Sequence, residues 1–428
     1  MNIRPWKQAV FHAFLIAAVG GGSGCTLVPK VIVSEKRDIY TYNHPFEIES
    51  AAFRRSAEAL GNPMVGGNSA ILLQNGDEIF PAITRDIRAA EHTVNLETFI
   101  FQPDEAGKQV ADALIAAAKK GVKVRLLVDF YGSSLGGGLA KELKDAGVEV
   151  HTYRPLRLIT IYKVAQRTHR KILVVDGRIA YTGGLGISRQ WLGNARNKKE
   201  WRDTQVRVEG PVAAQMQAIF SEDWVFTTGE ILAGNDFYPS ITPAGTITAQ
   251  AIKASRGDAS SLAKMLYYVA ILSARKTVHI ANAYFLPDKQ VRKALIGAVK
   301  RGVEVEIMVP GLHNNEPMVR SASWHHYGEL LKGGVKIYEY KPTMLHNKTI
   351  VIDGIYSTIG SINFDNRSMN SNAEDSLAFY DHALAEKMEN MFQEDKKNCE
   401  GITLDAWKHR GVPKRLSELV FWIWEPYY

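Results

Sequence analysis

The chain is an internal duplicate. Asp112-Ala-Leu-Ile-Ala-Ala-Ala-Lys-Lys-Gly-Val-Lys-Val124 returns as Lys293-Ala-Leu-Ile-Gly-Ala-Val-Lys-Arg-Gly-Val-Glu-Val305. Each copy reads as a helix closed by a glycine and followed by a strand. Gly147-Val-Glu-Val150 returns as Gly334-Val-Lys-Ile337, and Val94–Ile100 and Val278–Tyr284 open the two copies as strands. Strand, helix, strand, helix, strand recurs in the same order, a pattern that calls for α/β units around a sheet. A period of about 180 residues is domain duplication, since solenoid repeats run only 20–50 residues. Residues 26–228 form the first expected half and 249–428 the second. The Gly-, Pro-, Ser- and Thr-rich stretch 229–248 links them.

Each half carries one further signature. His169-Arg-Lys171 is followed by Asp176, and His346-Asn-Lys348 by Asp353, both H-x-K-x-x-x-x-D. At ordinary Lys and Asp usage, 12 histidines give about 0.03 chance matches. Lys171-Ile-Leu-Val-Val-Asp176-Gly177 and Lys348-Thr-Ile-Val-Ile-Asp353-Gly354 read as buried strands ending in turns. Residues two apart on a strand share a face, so His169 projects with Lys171 and His346 with Lys348. Asp176 and Asp353 fall on the other side, suited to hydrogen bonds near the strand end. Paired lysines offset the charge of a phosphodiester without a metal ion. Neutral imidazole is a nucleophile and imidazolium an acid near neutral pH. Two histidines on a pseudo-twofold axis can flank one phosphorus, one attacking it and the other serving the leaving alkoxide.

The chain has 428 residues, 46% apolar and 23% charged, with a formal charge of +7. That excess suits a polyanion, either nucleic acid or an anionic membrane face. Two cysteines, Cys25 and Cys399, are too few for a disulfide framework or a zinc site. His325-His326 lacks the carboxylate or Cys spacing of a metal pair and reads as a surface helix pair, and no cofactor is expected. Residues 1–25 have the form of a secretory signal: Arg4 and Lys7, an apolar run from Ala9 to Val19, then Gly20-Gly-Gly-Ser-Gly24 before Cys25. Small residues before a cysteine resemble a bacterial lipoprotein cleavage site, with Cys25 lipidated. An ordinary signal, an uncleaved anchor and a buried helix are the alternatives.

The extended run around the second signature is more specific. Gly360-Ser361-Ile-Asn363-Phe-Asp365-Asn-Arg367-Ser368 and Asn372-Ala-Glu374 follow His346, and Asn282-Ala-Tyr284-Phe285-Leu-Pro287-Asp288 opens the second half. Trp201-Arg202-Asp203-Thr204 with Arg207–Pro211 follows the first signature. Across residues 45–428 the chain resembles the phospholipase D superfamily, most closely its bacterial cardiolipin synthase branch. The resemblance implies two α/β/α sandwich halves packed with pseudo-twofold symmetry around one shared active site. It implies that Asn363 helps hold the phosphate, with Ser361 among the binding or orienting residues. It implies that Glu374 fixes the tautomer of a catalytic histidine, that Asp203 is its first-half equivalent, and that Glu97 lines the pocket. Gly186 stands where many relatives carry a second Asn, so the halves are unequal. The resemblance implies His169 as nucleophile and His346 as acid and base.

The expected activity is transfer of a phosphatidyl group between two phosphatidylglycerol molecules, giving cardiolipin and glycerol. Hydrolysis to phosphatidic acid, or cleavage of a nucleic-acid phosphodiester, could use the same residues. The membrane is the expected partner and nucleic acid is not. The segment from Arg154 to Arg170 interleaves Arg154, Arg157, Lys163, Arg167 and Arg170 with Leu156, Leu158, Ile159, Ile161 and Tyr162, as a lipid-facing rim would. The aromatic C-terminus, Val420–Tyr428, suits either a bilayer interface or the chain's own surface.

Overall fold

The duplicated helix–strand units form as their sequences dictate. In the first, Asp104 caps helix Glu105–Lys119 by accepting from the backbone N–H of Ala106 and Gly107. The helix buries Val110, Ala113, Leu114 and Ala117, the 3–4 spacing of one face. Gly121, at φ +90°, turns the chain into the next strand. In the second unit Asp288 caps Lys289–Lys300 in the same way, and Gly302 repeats the φ of +90°. The computed structural model describes residues 46–155, 166–254 and 262–422.

The strands are β1 (Val65–Gln74), β2 (Thr93–Thr98), β3 (Lys123–Asp129), β4 (Glu149–Tyr153), β5 (Lys171–Val175), β6 (Ile179–Gly183) and β7 (Thr204–Glu209) in the first half. The second half supplies β8 (Ile247–Ala254), β9 (Thr277–Asn282), β10 (Glu304–Pro310), β11 (Lys336–Tyr340), β12 (Lys348–Ile352), β13 (Tyr356–Gly360), β14 (Glu374–Tyr380) and β15 (Cys399–Ile402). They join in one sheet in the order β15-β11-β10-β9-β12-β13-β14-β8-β1-β7-β6-β5-β2-β3-β4. The halves meet where β1 pairs antiparallel with β8 across an irregularity between Val65 and Asn68.

Register makes the duplication concrete. β2 lies parallel to β3 and antiparallel to β5, with Thr98 opposite Lys171. β9 lies parallel to β10 and antiparallel to β12, with Asn282 opposite Lys348. Each signature lysine therefore opens the equivalent strand beside the equivalent neighbour.

A central core joins the two halves. Ile172, Val174, Val206 and Val208 share it with Val351, Ile359, Leu377 and Phe379. Helix Val212–Thr228 of the first half and helix His382–Lys396 of the second contribute Phe220 and Met388 to the same core. Separate outer cores lie under helices Asn75–Ala89 and Glu105–Lys119, and under Leu262–Ser273, Lys289–Lys300 and Pro317–Lys332. Each half is thus an α/β/α sandwich, as expected. A fully buried Leu or Phe in such a core contributes about 1.5–3 kcal/mol.

Three details differ from the sequence reading. β1 precedes the first expected strand, and its half-exposed, Gly-containing run shows neither a clean alternation nor a continuous apolar stretch. β8 starts at Ile247, inside the expected linker. His326 is buried on helix Pro317–Lys332, so the His325-His326 pair is not a surface pair. The stretch between Thr228 and Ile247 holds no helix or strand but buries Leu232 and Phe237 in the central core.

Candidate active site

β5 and β12 bring the two signatures to one place, and the halves complete each other there. His169 precedes β5, and its backbone N–H donates to the Ala373 carbonyl of the second half at 2.8 Å. Its Nδ1 lies 2.8 Å from Glu374 Oε2 at the start of β14. His346 precedes β12, and its backbone N–H donates to the Arg202 carbonyl of the first half at 2.7 Å. Its Nδ1 lies 2.8 Å from Asp203 Oδ2. Each histidine is therefore oriented by the other half's carboxylate. Both carboxylates are fully buried. A carboxylate on Nδ1 fixes the tautomer that leaves the Nε2 lone pair free.

Each signature lysine bonds back to the main chain of its own histidine. Lys171 Nζ donates to the His169 carbonyl at 2.7 Å, and Lys348 Nζ to the His346 carbonyl at 2.7 Å. Lys348 Nζ also stands 3.1 and 3.2 Å from the two ring nitrogens of His346. Burial, then the charges of Lys171, Lys348 and Arg367, hold the His169 imidazole well below its ordinary pKa. Burial and then Lys348 push His346 down to about 3. Burial lowers Lys171 to about 8 and Lys348 to about 7, against the pull of Glu374 and Asp203. In its neutral form each imidazole donates through Nδ1 to its carboxylate and offers Nε2 to an incoming phosphorus or proton.

Asp176 and Asp353 lie away from this centre and close the turns. Both adopt left-handed backbone, φ +50° and +52°. Asp176 accepts from the backbone N–H of Glu91, His92 and Thr93 at 2.8–3.0 Å. Asp353 accepts from Arg275, Lys276 and Thr277 at 2.7–2.8 Å. Each pins the start of the neighbouring strand, β2 or β9.

The orienting residues differ between halves. Ser361 Oγ donates to Glu374 Oε2 at 2.5 Å and Ser368 Oγ to Glu374 Oε1 at 2.7 Å. On the other side Trp191 Nε1 donates to Asp203 Oδ2 at 2.8 Å. Trp191 stands 22 positions after His169, as Ser368 stands 22 after His346. Its ring also fills the space beside Gly186, where an added Cβ would meet it at 2.9 Å. No asparagine fits there. Asn363, 17 after His346, is buried, with Nδ2 3.4 Å from Ser368 Oγ and Oδ1 unpartnered. Trp191 and Trp201 flank His346 at 5.2 and 5.4 Å between ring centroids, and Phe99 meets His169 at 5.0 Å.

Two expectations change. Glu97 is fully buried and accepts from Thr168 Oγ1 at 2.5 Å, so it supports the residue before His169 and does not line the pocket. Burial and the nearby Asp223 raise its pKa well above the ordinary carboxylate value. Arg167 and Arg170 are not a lipid-facing rim. Arg167 is buried 3.8 Å from Asp129, and Arg170 is buried between Asp223 (2.9 Å) and Glu222 (3.2 Å). An alternating strand places Arg170 opposite His169 and Lys171, facing the central core. Residues 1–25 with Cys25, the 156–165 part of that segment, and residues beyond Trp422 lie outside the described residues.

Sequence reasoning missed Trp191, Ser368, Arg170 and Asp375. Asp375 Oδ1 accepts the Lys171 backbone N–H at 3.0 Å and binds Thr182 through its other oxygen. Its place directly after Glu374 was the available signal. Trp191 could have been found by aligning the two halves from their histidines.

Comparison with known proteins agrees with this geometry. The family model for the cardiolipin synthase, phospholipase D-like domain matches residues 83–224 and 267–396, once in each half. A cardiolipin synthase of Geobacillus kaustophilus is 35% identical over 363 residues, covering 84% of this chain and 72% of its own length. Cardiolipin synthase A of Pseudomonas putida is 35% identical over 383 residues, covering 87% of this chain and 79% of its own. The crystal structure of phosphatidylserine synthase from Haemophilus influenzae shares the fold, with a TM-score of 0.63 at 14% identity over 87% of this chain and all of that one. The duplicated, mutually completed site and these matches make the chain a member of the phospholipase D superfamily, in its cardiolipin synthase family.

Proposed function

We propose that the protein is a phosphatidyltransferase that joins two phosphatidylglycerol molecules into cardiolipin and releases glycerol. The observation that carries this reading is the pair of imidazoles, each oriented by the other half's buried carboxylate beside a signature lysine. Similarity to proteins named cardiolipin synthases supports the substrate class.

The residues divide the work as follows. The donor phosphodiester lies between Lys171 and Lys348, with the Asn363 amide as a further contact. Its negative charge offsets the lysine charge that, after burial, depresses His346, and so favours the form of His346 with a proton on Nε2, which is the form that reacts. His169 Nε2 attacks phosphorus, the P–O bond to glycerol breaks, and the alkoxide takes that proton. The hydroxyl of the second lipid then gives its proton to His346 Nε2 and attacks phosphorus as the P–N bond breaks. One phosphoester replaces another, so the exchange needs no nucleotide.

We place this activity at a membrane face. Helix Val412–Trp422 leaves Val412, Leu416, Leu419 and Val420 exposed by 48–66%. No helix among the described residues is long and apolar enough to cross a membrane. The signal-like residues 1–25 support export, with Cys25 as a lipidation site.

Full-length protein incubated with phosphatidylglycerol vesicles tests the reaction by mass spectrometry. Cardiolipin with matching glycerol is the expected result. Phosphatidic acid alone assigns the chain to hydrolysis instead.

A further inference from the structure

The two halves differ in the loop that follows each signature. From His346 to Glu374 the chain takes 28 residues, and from His169 to Asp203 it takes 34. The first 22 positions match in both, so the extra six fall between Trp191 and Asp203. The corresponding second-half stretch, Met369–Ala373, carries no charge, whereas the first-half loop carries Arg196, Lys198, Lys199, Glu200 and Arg202.

That loop walls a cleft of about 1120 Å³. Both halves line it further, through Glu105 and Gln109 of helix Glu105–Lys119 and through residues 312–315. The cleft shares two walls with the catalytic centre. Trp201 lines it and flanks His346 at 5.4 Å. Asn315 lines it and accepts from Tyr284 Oη at 2.8 Å, while the Tyr284 ring stands 6.1 Å from His346. Through these neighbours the cleft adjoins His346, the histidine that serves the acceptor hydroxyl.

Its charge is arranged to leave two cations available. Arg196 engages both Asp77 (3.4 Å) and Glu200 (3.2 Å), and Arg189 faces Asp104 (3.8 Å). Glu200 also accepts from the backbone N–H of Asn194 and Arg196, which fixes the loop. Lys198 and Lys199 are exposed, and among the described residues no carboxylate lies within ion-pair distance of either. Glu105 is the remaining carboxylate of the cleft. The catalytic lysines are buried, bonded to the carbonyls of their histidines, and serve the reacting phosphorus. An acceptor that is itself a phospholipid brings a second phosphodiester, which needs cations of its own.

We propose that this cleft is the acceptor-lipid headgroup site, with Lys198 and Lys199 binding the acceptor's own phosphodiester while its hydroxyl meets His346. The inference rests on the phosphatidyltransferase reading. It explains how one half of a duplicate can favour an anionic lipid over water or a simple alcohol. A neutral alcohol has no charge for these lysines to hold.

The test is a competition within one vesicle. Full-length protein acts on phosphatidylglycerol vesicles with ethanol added, and cardiolipin and phosphatidylethanol are measured together. Both products draw on the same donor and the same membrane, so their ratio isolates the acceptor. In the Lys198→Ala/Lys199→Ala double variant the cardiolipin-to-phosphatidylethanol ratio is expected to fall about tenfold, through KM for the lipid acceptor. Lys198→Arg/Lys199→Arg is expected to restore it. A ratio unchanged in the alanine variant overturns the acceptor site while leaving the transferase reading intact. If the unaltered protein forms neither product, the transferase reading fails and the acceptor site with it.

Discussion

Glu374 of the second half orients His169 of the first, 205 residues away, at 2.8 Å. Asp203 does the same for His346 in the opposite direction. Neither half alone holds an oriented histidine, so the duplication is a requirement of the site. Glu374→Gln and Asp203→Asn preserve shape but replace an acceptor with a group that can donate. Each is expected to lower kcat by about 10²- to 10⁴-fold with little change in KM. A loss confined to KM would place these carboxylates in substrate binding instead.

Trp191 holds Asp203 where Ser368 holds Glu374, and this is the sharpest difference between the two histidines. Trp191→Phe removes the N–H and keeps most of the ring. If His346 is the acid, the variant loses activity on phosphatidylglycerol, whose alkoxide needs a proton, by about 10-fold or more. It keeps the first-turnover burst of p-nitrophenol from a phosphatidyl p-nitrophenol donor, whose leaving group needs no proton. Equal losses on both donors would transfer the nucleophile's role to His346.

The lysines set the pH range. Burial lowers Lys348 to about 7 and Lys171 to about 8, and only their charged forms bind the phosphodiester. Charge is present below these values and lost above them, so kcat/KM is expected to fall as pH rises through 7–8. The bound anion raises both lysines, so kcat is expected to fall at higher pH than kcat/KM. His169, held well below its ordinary pKa, keeps the acid limb below the usual imidazole range. Lys348→Arg carries its charge at every accessible pH, and the ratio of its kcat/KM at pH 9 to that at pH 7 is expected to exceed the unaltered protein's. An alkaline limb that does not move removes Lys348 from the titration.

Asp176 is part of the signature but acts through the backbone. Its carboxylate accepts three N–H groups, and its left-handed φ disfavours Ala. Asp176→Ala is expected to cost about 2–4 kcal/mol in denaturant unfolding. Its kcat per folded molecule falls far less than that of His169→Ala. A kcat loss matching His169→Ala at unchanged stability would make Asp176 a direct participant.

The sequence carried much of this arrangement and hid a specific part. Val110, Ala113 and Leu114 show the helical spacing, and Lys171–Val175 and Lys348–Ile352 read as buried strands because both faces are covered. The His, Lys and Asp positions were legible because chemistry repeats at fixed spacing in both halves. Pairings across the halves were not, since nothing local distinguishes Glu374 bound to His169 from Glu374 bound to His346. Arg170 misled for a related reason: an arginine flanked by His and Lys reads as surface charge, but strand alternation turns it inward onto Asp223. β1 escaped because its pairing with β7 and β8, and not its own pattern, holds it in the sheet.

The division of labour between the two histidines is tested most directly by trapping the covalent intermediate. His346→Ala is mixed with a phosphatidyl p-nitrophenol donor, quenched, digested and mapped by mass spectrometry. A phosphatidyl adduct on His169, with p-nitrophenol released in equal amount, is the expected result, and none forms in His169→Ala. An adduct on His346 in the unaltered protein, or p-nitrophenol release from His169→Ala at an undiminished rate, contradicts it.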